Sequence, residues 1–159
     1  VKLSRHSTAG VTLIEMLIVV ALISIAVGIT FPAVSSGLDT LRLIQATNEL
    51  VSFFNDGLNR AERREQVVEI TVLRAQNTLT MRSAEPGFER RLELPRGVSI
   101  VKVLPALEQE EDQPRQFLLF PGGTVPRVGI EMMNARNVHR IVRVDPMTGV
   151  PQVEQVENR

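Results

Sequence analysis

Positions 11–31, VTLIEMLIVVALISIAVGITF, are apolar almost without break and carry one charge, Glu15. A helix of that length spans roughly 30 Å, the thickness of a bilayer's hydrocarbon core, so the stretch predicts a transmembrane helix. After Pro32 the apolar spacing becomes that of an amphipathic helix. Leu38, Leu41, Ile44, Leu50 with Val51, Phe54, Leu58 and Ala61 recur every three or four residues,. Arg42, Gln45, Glu49, Asn55, Asp56, Arg60 and Glu62 fill the opposite face,. The pattern predicts one helix from Thr12 to about Arg64, bent at Pro32 and loosened by Gly28 and Gly37,. A free-standing coiled coil fits less well, because the spacing drifts and keeps no heptads.

From Gln66 the period shortens to that of strands. Val67 to Leu73 and Leu79 to Arg82 flank Gln76-Asn77, a hairpin signal,. Phe88 to Leu94, Val98 to Leu104, Phe117 to Phe120, Arg127 to Met133, Val138 to Val144 and Val150 to Val153 follow, separated by Pro- and Gly-containing turns. Pro105 to Arg115 reads as a loop, with Glu108, Glu110, Glu111 and Asp112 close together. Seven or eight short strands predict a compact antiparallel two-sheet domain,. The fold class is therefore α+β. Four segments result: a leader at 1–10, a transmembrane helix at 11–31, its amphipathic continuation at 32–64, and a β-rich globular domain at 65–159.

Charge and composition narrow the function. Lys plus Arg and Asp plus Glu both number 18 in 159 residues, so neither a basic nucleic-acid protein nor an acidic tail is indicated,. Without cysteine there is no disulfide scaffold, thiolate zinc site or thiol nucleophile,. Trp and Tyr are absent, which leaves few platforms for stacking bases or sugars,.

The polar leader VKLSRHSTAG places Lys2 and Arg5 before the apolar span, and positive charge there predicts that this end stays cytoplasmic while the rest is exported,. Ala26-Val27-Gly28 offers a passable secretory cleavage site, but Glu15 near the start of the apolar core does not suit a secretory signal,. A plain anchor explains the length and leaves the carboxylate unexplained, although a charge in a membrane helix costs on the order of 3 kcal/mol and marks function.

Gly10, then Val11-Thr12-Leu13-Ile14-Glu15, an apolar helix and Pro32 resemble the class III signal of type IV pilins and type II secretion pseudopilins. Val11 stands where that family usually has Phe, and both are apolar. The resemblance implies that a membrane-embedded prepilin peptidase cuts between Gly10 and Val11 and methylates the new amino terminus at Val11. It also implies that Glu15 of one subunit pairs in the membrane with the Val11 ammonium of its neighbour and so sets subunit register. An intrachain pair across one turn and a helix-dipole contact are the other uses of the same charge.

Leu94-Pro95-x-Gly97-Val98, Phe120-Pro121-x-Gly123, and Arg140-Ile141-Val142 with Asp145-Pro146-x-Thr148-Gly149 resemble the carboxy-terminal domain of the general secretion pathway protein H and FimT group. Most of these residues are turn formers that also serve to shape hairpins. The resemblance implies a non-enzymatic minor pseudopilin of a type II secretion system, at the tip or in the initiating complex of a short periplasmic filament. Its partners would be the prepilin peptidase, other minor and major pseudopilins, inner-membrane lipid and the secretion-system platform, and no cofactor is expected. A FimT-like minor pilin of a type IV pilus, contacting DNA during uptake, is the alternative.

Other chemistry is thin. His139 is the sole histidine after the leader and supports neither a triad nor a metal cluster,. The acidic loop lacks EF-hand spacing and reads as solvated,. Arg136, Arg140 and Arg143, near Arg127 and His139, form a basic stripe suited to phosphate,. Strand alternation, however, puts Arg140 and Arg143 on opposite faces. From Leu38 onward the chain holds 16 basic and 17 acidic residues, a net of −1, and nucleic acid is not an expected partner.

Overall fold

The structure, a computed structural model, describes residues 11–107 and 113–156, with the backbone alone at 31–35. Gly10, the acidic loop at 108–112 and the Pro32 side chain lie outside that description. The architecture is α+β: one long amino-terminal helix and eight strands in two antiparallel sheets. Two compact units divide the chain between Gly37 and Leu38.

Helix α1 runs over Leu13–Arg64 and is uninterrupted at position 32. Thr12 starts it, its carbonyl taking the first helical bond from the Met16 amide at 3.2 Å. Glu65 ends it in a left-handed conformation, φ 51°, with the Gln66 amide reaching back to the Ala61 carbonyl at 3.3 Å. That six-to-one bond satisfies a carbonyl the helix end would otherwise leave open, and Arg63 and Arg64 sit at the negative end of the helix dipole,.

In the second unit the strands are β1 (Val68–Leu73), β2 (Thr78–Ser83), β3 (Glu89–Glu93), β4 (Val98–Leu104), β5 (Arg115–Leu119), β6 (Gly129–Asn134), β7 (His139–Val144) and β8 (Pro151–Val156). The first sheet has the order β3-β2-β1-β5 and the second β4-β6-β7-β8. The period-2 segments read from the sequence fall on these strands. Two differences have local causes. β5 begins at Arg115, inside the expected loop, because Val72 and Thr71 of β1 extend the pairing to Arg115 and Gln116. β8 runs on to Val156 because the whole of β7 is available to pair it.

One core joins the helix to both sheets. Leu43, Ala46, Leu50, Phe53, Phe54 and Ala61 meet Ile70, Leu79, Met81 and Leu119 of the first sheet and Ile100, Ile130, Met132 and Val142 of the second. The buried helical stripe is rotated from the one expected. Leu38 and Leu41 are exposed, at 48% and 61%, while Leu43, Ala46 and Thr47 are buried. Small residues set this phase. A Cβ on Gly57 would stand 3.1 Å from the side-chain ends of both Leu119 and Met81, so the missing side chain lets the first sheet pack close to the helix backbone here. The buried Thr47 hydroxyl is satisfied within the helix, donating to the Leu43 carbonyl at 2.6 Å,.

Candidate functional site

The amino-terminal unit is a helix without a core. Leu13–Thr30 is long and apolar enough to cross a membrane, at 18 residues and mean hydropathy 2.6, and its side chains are exposed among the described residues. It spans about 27 Å. A helix apolar on every side needs lipid or other helices around it. Its hydroxyls are already satisfied: Ser24 donates to the Val20 carbonyl at 2.8 Å and Thr30 to the Ala26 carbonyl at 2.7 Å. That leaves Glu15 as the polar group of the span with no internal partner for its charge; it forms no ion pair with any described residue.

Glu15 stands at the third helical position, and its backbone amide donates to Thr12 Oγ1 at 3.3 Å. This is one arm of a capping box, Thr12-x-x-Glu15, a spacing visible in the sequence that periodicity alone passes over. Thr12 thus relieves one of the open amides at the helix start, and the Glu15 carboxylate lies one turn from Val11. Val11 itself is exposed, at 61%.

The basic residues of the second sheet do not share a face. Arg140 is the register partner of Met132 and Arg143 of Gly129, which sets them on opposite sides of β7. Arg136, in the β6–β7 turn, lies 4.0 Å from Asp39, which also holds Arg42 at 3.4 Å. Arg143 pairs with Glu154 at 3.3 Å. His139 Nδ1 is 2.7 Å from Glu131 and Nε2 is 3.2 Å from the Asn137 carboxamide oxygen, so its ring is held by neighbours on its own hairpin. What the structure does bring together is Arg143 with Arg127, which line one hollow on the second sheet. Among the described residues no three His, Asp or Glu side chains converge as a metal site.

Residues 5–31 match the prokaryotic N-terminal methylation motif. The fold is similar to that of the minor pseudopilin EpsH from the type 2 secretion system of Vibrio cholerae, with a TM-score of 0.51 and 9% sequence identity, covering 69% of this chain and 92% of that one. No curated protein sequence matches the chain. The chain thus joins an N-terminal methylation motif to a fold similar to that of a minor pseudopilin. Such a motif implies processing by a prepilin peptidase and assembly with other pilin-like subunits.

Proposed function

We propose that the chain is a minor pseudopilin of a type II protein secretion system, a non-enzymatic subunit at the tip or in the initiating complex of the periplasmic pseudopilus. The observation that carries this reading is the joining of two parts. A methylation motif containing an 18-residue apolar span with a lone carboxylate leads into a two-sheet domain of the EpsH kind. In this reading the leader at 1–10, with Lys2 and Arg5, stays in the cytoplasm, and the helix anchors the protein once in the inner membrane,. The domain beyond it faces the periplasm.

Peptidase action between Gly10 and Val11 creates an ammonium one turn from Glu15. Both charges are then in or near hydrocarbon, where an unpaired ion is penalised by several kcal/mol. The Glu15 carboxylate has no ion pair with any described residue and can meet the Val11 ammonium of a neighbouring subunit. Only a neighbour in the correct axial position supplies that partner, so the pair sets register as the filament grows. Pro32 gives the helix a bend on leaving the bilayer.

The alternative, a FimT-like minor pilin that contacts DNA, rests on Arg136, Arg140 and Arg143. It is the weaker reading because Arg136 and Arg143 face carboxylates and Arg140 lies on the other side of the strand. Deletion of the gene separates the two. Loss of protein export across the outer membrane with surface pili intact is the expected result. Loss of pili and DNA uptake with export intact would replace this reading by the alternative.

A further inference from the structure

Leu104 at the end of β4, Gly129 at the start of β6 and Arg143 on β7 are cross-strand neighbours, since Gly129 is the register partner of both. Gly129 carries no side chain, and Leu104 and the Arg143 stem lie 3.2 and 3.3 Å from where its Cβ would be. Against these residues opens a cavity of about 470 Å³, walled also by Pro105, Pro146 and Arg127. That volume is within the range of sites that hold small ligands or a few side chains. Its walls are apolar apart from the two guanidinium groups. Arg143 is engaged by Glu154, whereas Arg127 is exposed and forms no ion pair with any described residue. Arg127 is thus the lining cation without a carboxylate partner among the described residues, and it stands beside an apolar hollow.

We propose that this hollow binds a segment of a partner polypeptide that carries a carboxylate next to an apolar side chain. The unpaired guanidinium selects the ligand. A lone Arg127 without an ion pair suits one carboxylate, while a nucleic-acid backbone needs a row of cations to gain affinity,. The planar fork of Arg127 presents paired N–H donors spaced for the two carboxylate oxygens, and Leu104 with the two prolines receives the apolar neighbour. Arg127 and Arg143 are both exposed, so the cavity is open to solvent on their side. A single contact of this size binds weakly, on the order of millimolar, as suits one anchoring point within a larger assembly. The proposal stands on the cavity and does not depend on the secretion role.

The test uses the full chain, isotopically labelled, in detergent micelles. Acetyl-Leu-Glu-Leu-amide is titrated by NMR, with acetyl-Leu-Lys-Leu-amide as its counterpart. The Glu peptide should move the amide signals of Val128, Gly129 and Val144, and the Lys peptide should not. Arg127→Glu should weaken binding by about tenfold or more, the equivalent of one charge-assisted pair, with Arg127→Lys retaining part of it. Arg127→Gln serves as a second variant should charge reversal disturb signals far from the cavity. Equal shifts with both peptides, unchanged binding in the Arg127 variants, or no shifts up to about 10 mM would overturn the proposal. So would duplex DNA moving the same signals at lower concentration than the Glu peptide.

Discussion

The Asn77 carboxamide oxygen accepts a hydrogen bond from the Ile100 amide at 2.8 Å, so a turn of the first sheet caps the edge of the second. Asn77 follows a single 3-10 turn at Arg74–Gln76 and holds a left-handed φ of 50°, a conformation Asn tolerates better than most residues,. Beside it, Arg74 Nη1 donates to the Val101 carbonyl at 3.1 Å. Two adjacent backbone groups of β4 are thus closed by one short loop.

Asn77→Gly keeps the backbone freedom and deletes the bridge, whereas Asn77→Ala deletes the bridge and also strains φ. Leaving the part-buried Ile100 amide without its partner should lower stability by about 1–3 kcal/mol. The Ala variant should be the less stable of the two. Urea unfolding of the full chain in detergent measures this, and variants indistinguishable from the parent would refute a bracing role for Asn77.

Asp145 gives a pH dependence of known sign. At 2.8 Å it accepts the Met147 amide, which, with smaller help from Thr148, holds its carboxyl below the ordinary Asp range despite some loss of solvation. A carboxyl depressed in the folded state contributes stability above its unfolded value, near 3.9, and loses that contribution as pH falls through the folded value. The β7–β8 turn should therefore loosen only under distinctly acid conditions, seen as a shift of the Met147 amide signal with the Asp145 carboxyl titration. Asp145→Asn should keep the turn and abolish that titration. A midpoint at or above the ordinary Asp value would contradict the assignment.

The protein should show no salt-sensitive binding to duplex DNA at physiological ionic strength. The net of −1 from Leu38 onward and the ion pairs of Arg136 and Arg143 both argue for this,. Tight binding lost on changing Arg140 and Arg143 would instead favour the pilus alternative.

Much of this was legible in the sequence because two periods, helical and then alternating, are enforced by burial. The span at Leu13–Thr30 and the eight strands follow from that alone. The phase of the helix did not, since Leu38 and Leu41 compete with Leu43 for the buried face and the choice falls to Ala46 and Gly57, whose small size carries no hydropathy signal. The Asn77 bridge was hidden for another reason: it joins residues 23 apart, and turn chemistry predicts only the local bend. The Thr12 cap is written in the three-residue spacing to Glu15, a signal that hydropathy period does not carry,. Arg127 gains meaning only once strand register sets Arg143 and Gly129 beside it.

Glu15 should act in assembly and not in insertion or folding. Glu15→Leu removes a charge that costs roughly 3 kcal/mol in a membrane helix, so insertion should become easier, and the protein should be made and processed normally. Co-purification with other pseudopilins and protein secretion should both fall. Glu15→Asp should keep partial function, and Glu15→Gln should behave like Leu. Normal co-purification and secretion by Glu15→Leu would sink the pairing model.

Whether the amino-terminal segment is a pilin-type signal feeding an assembly helix is read most directly by mass spectrometry of the intact protein purified from membranes. The expected result is a mature chain beginning at Val11 and carrying one methyl group on its amino terminus. A chain beginning near Ile29, with the apolar segment removed by an ordinary signal peptidase, would contradict it.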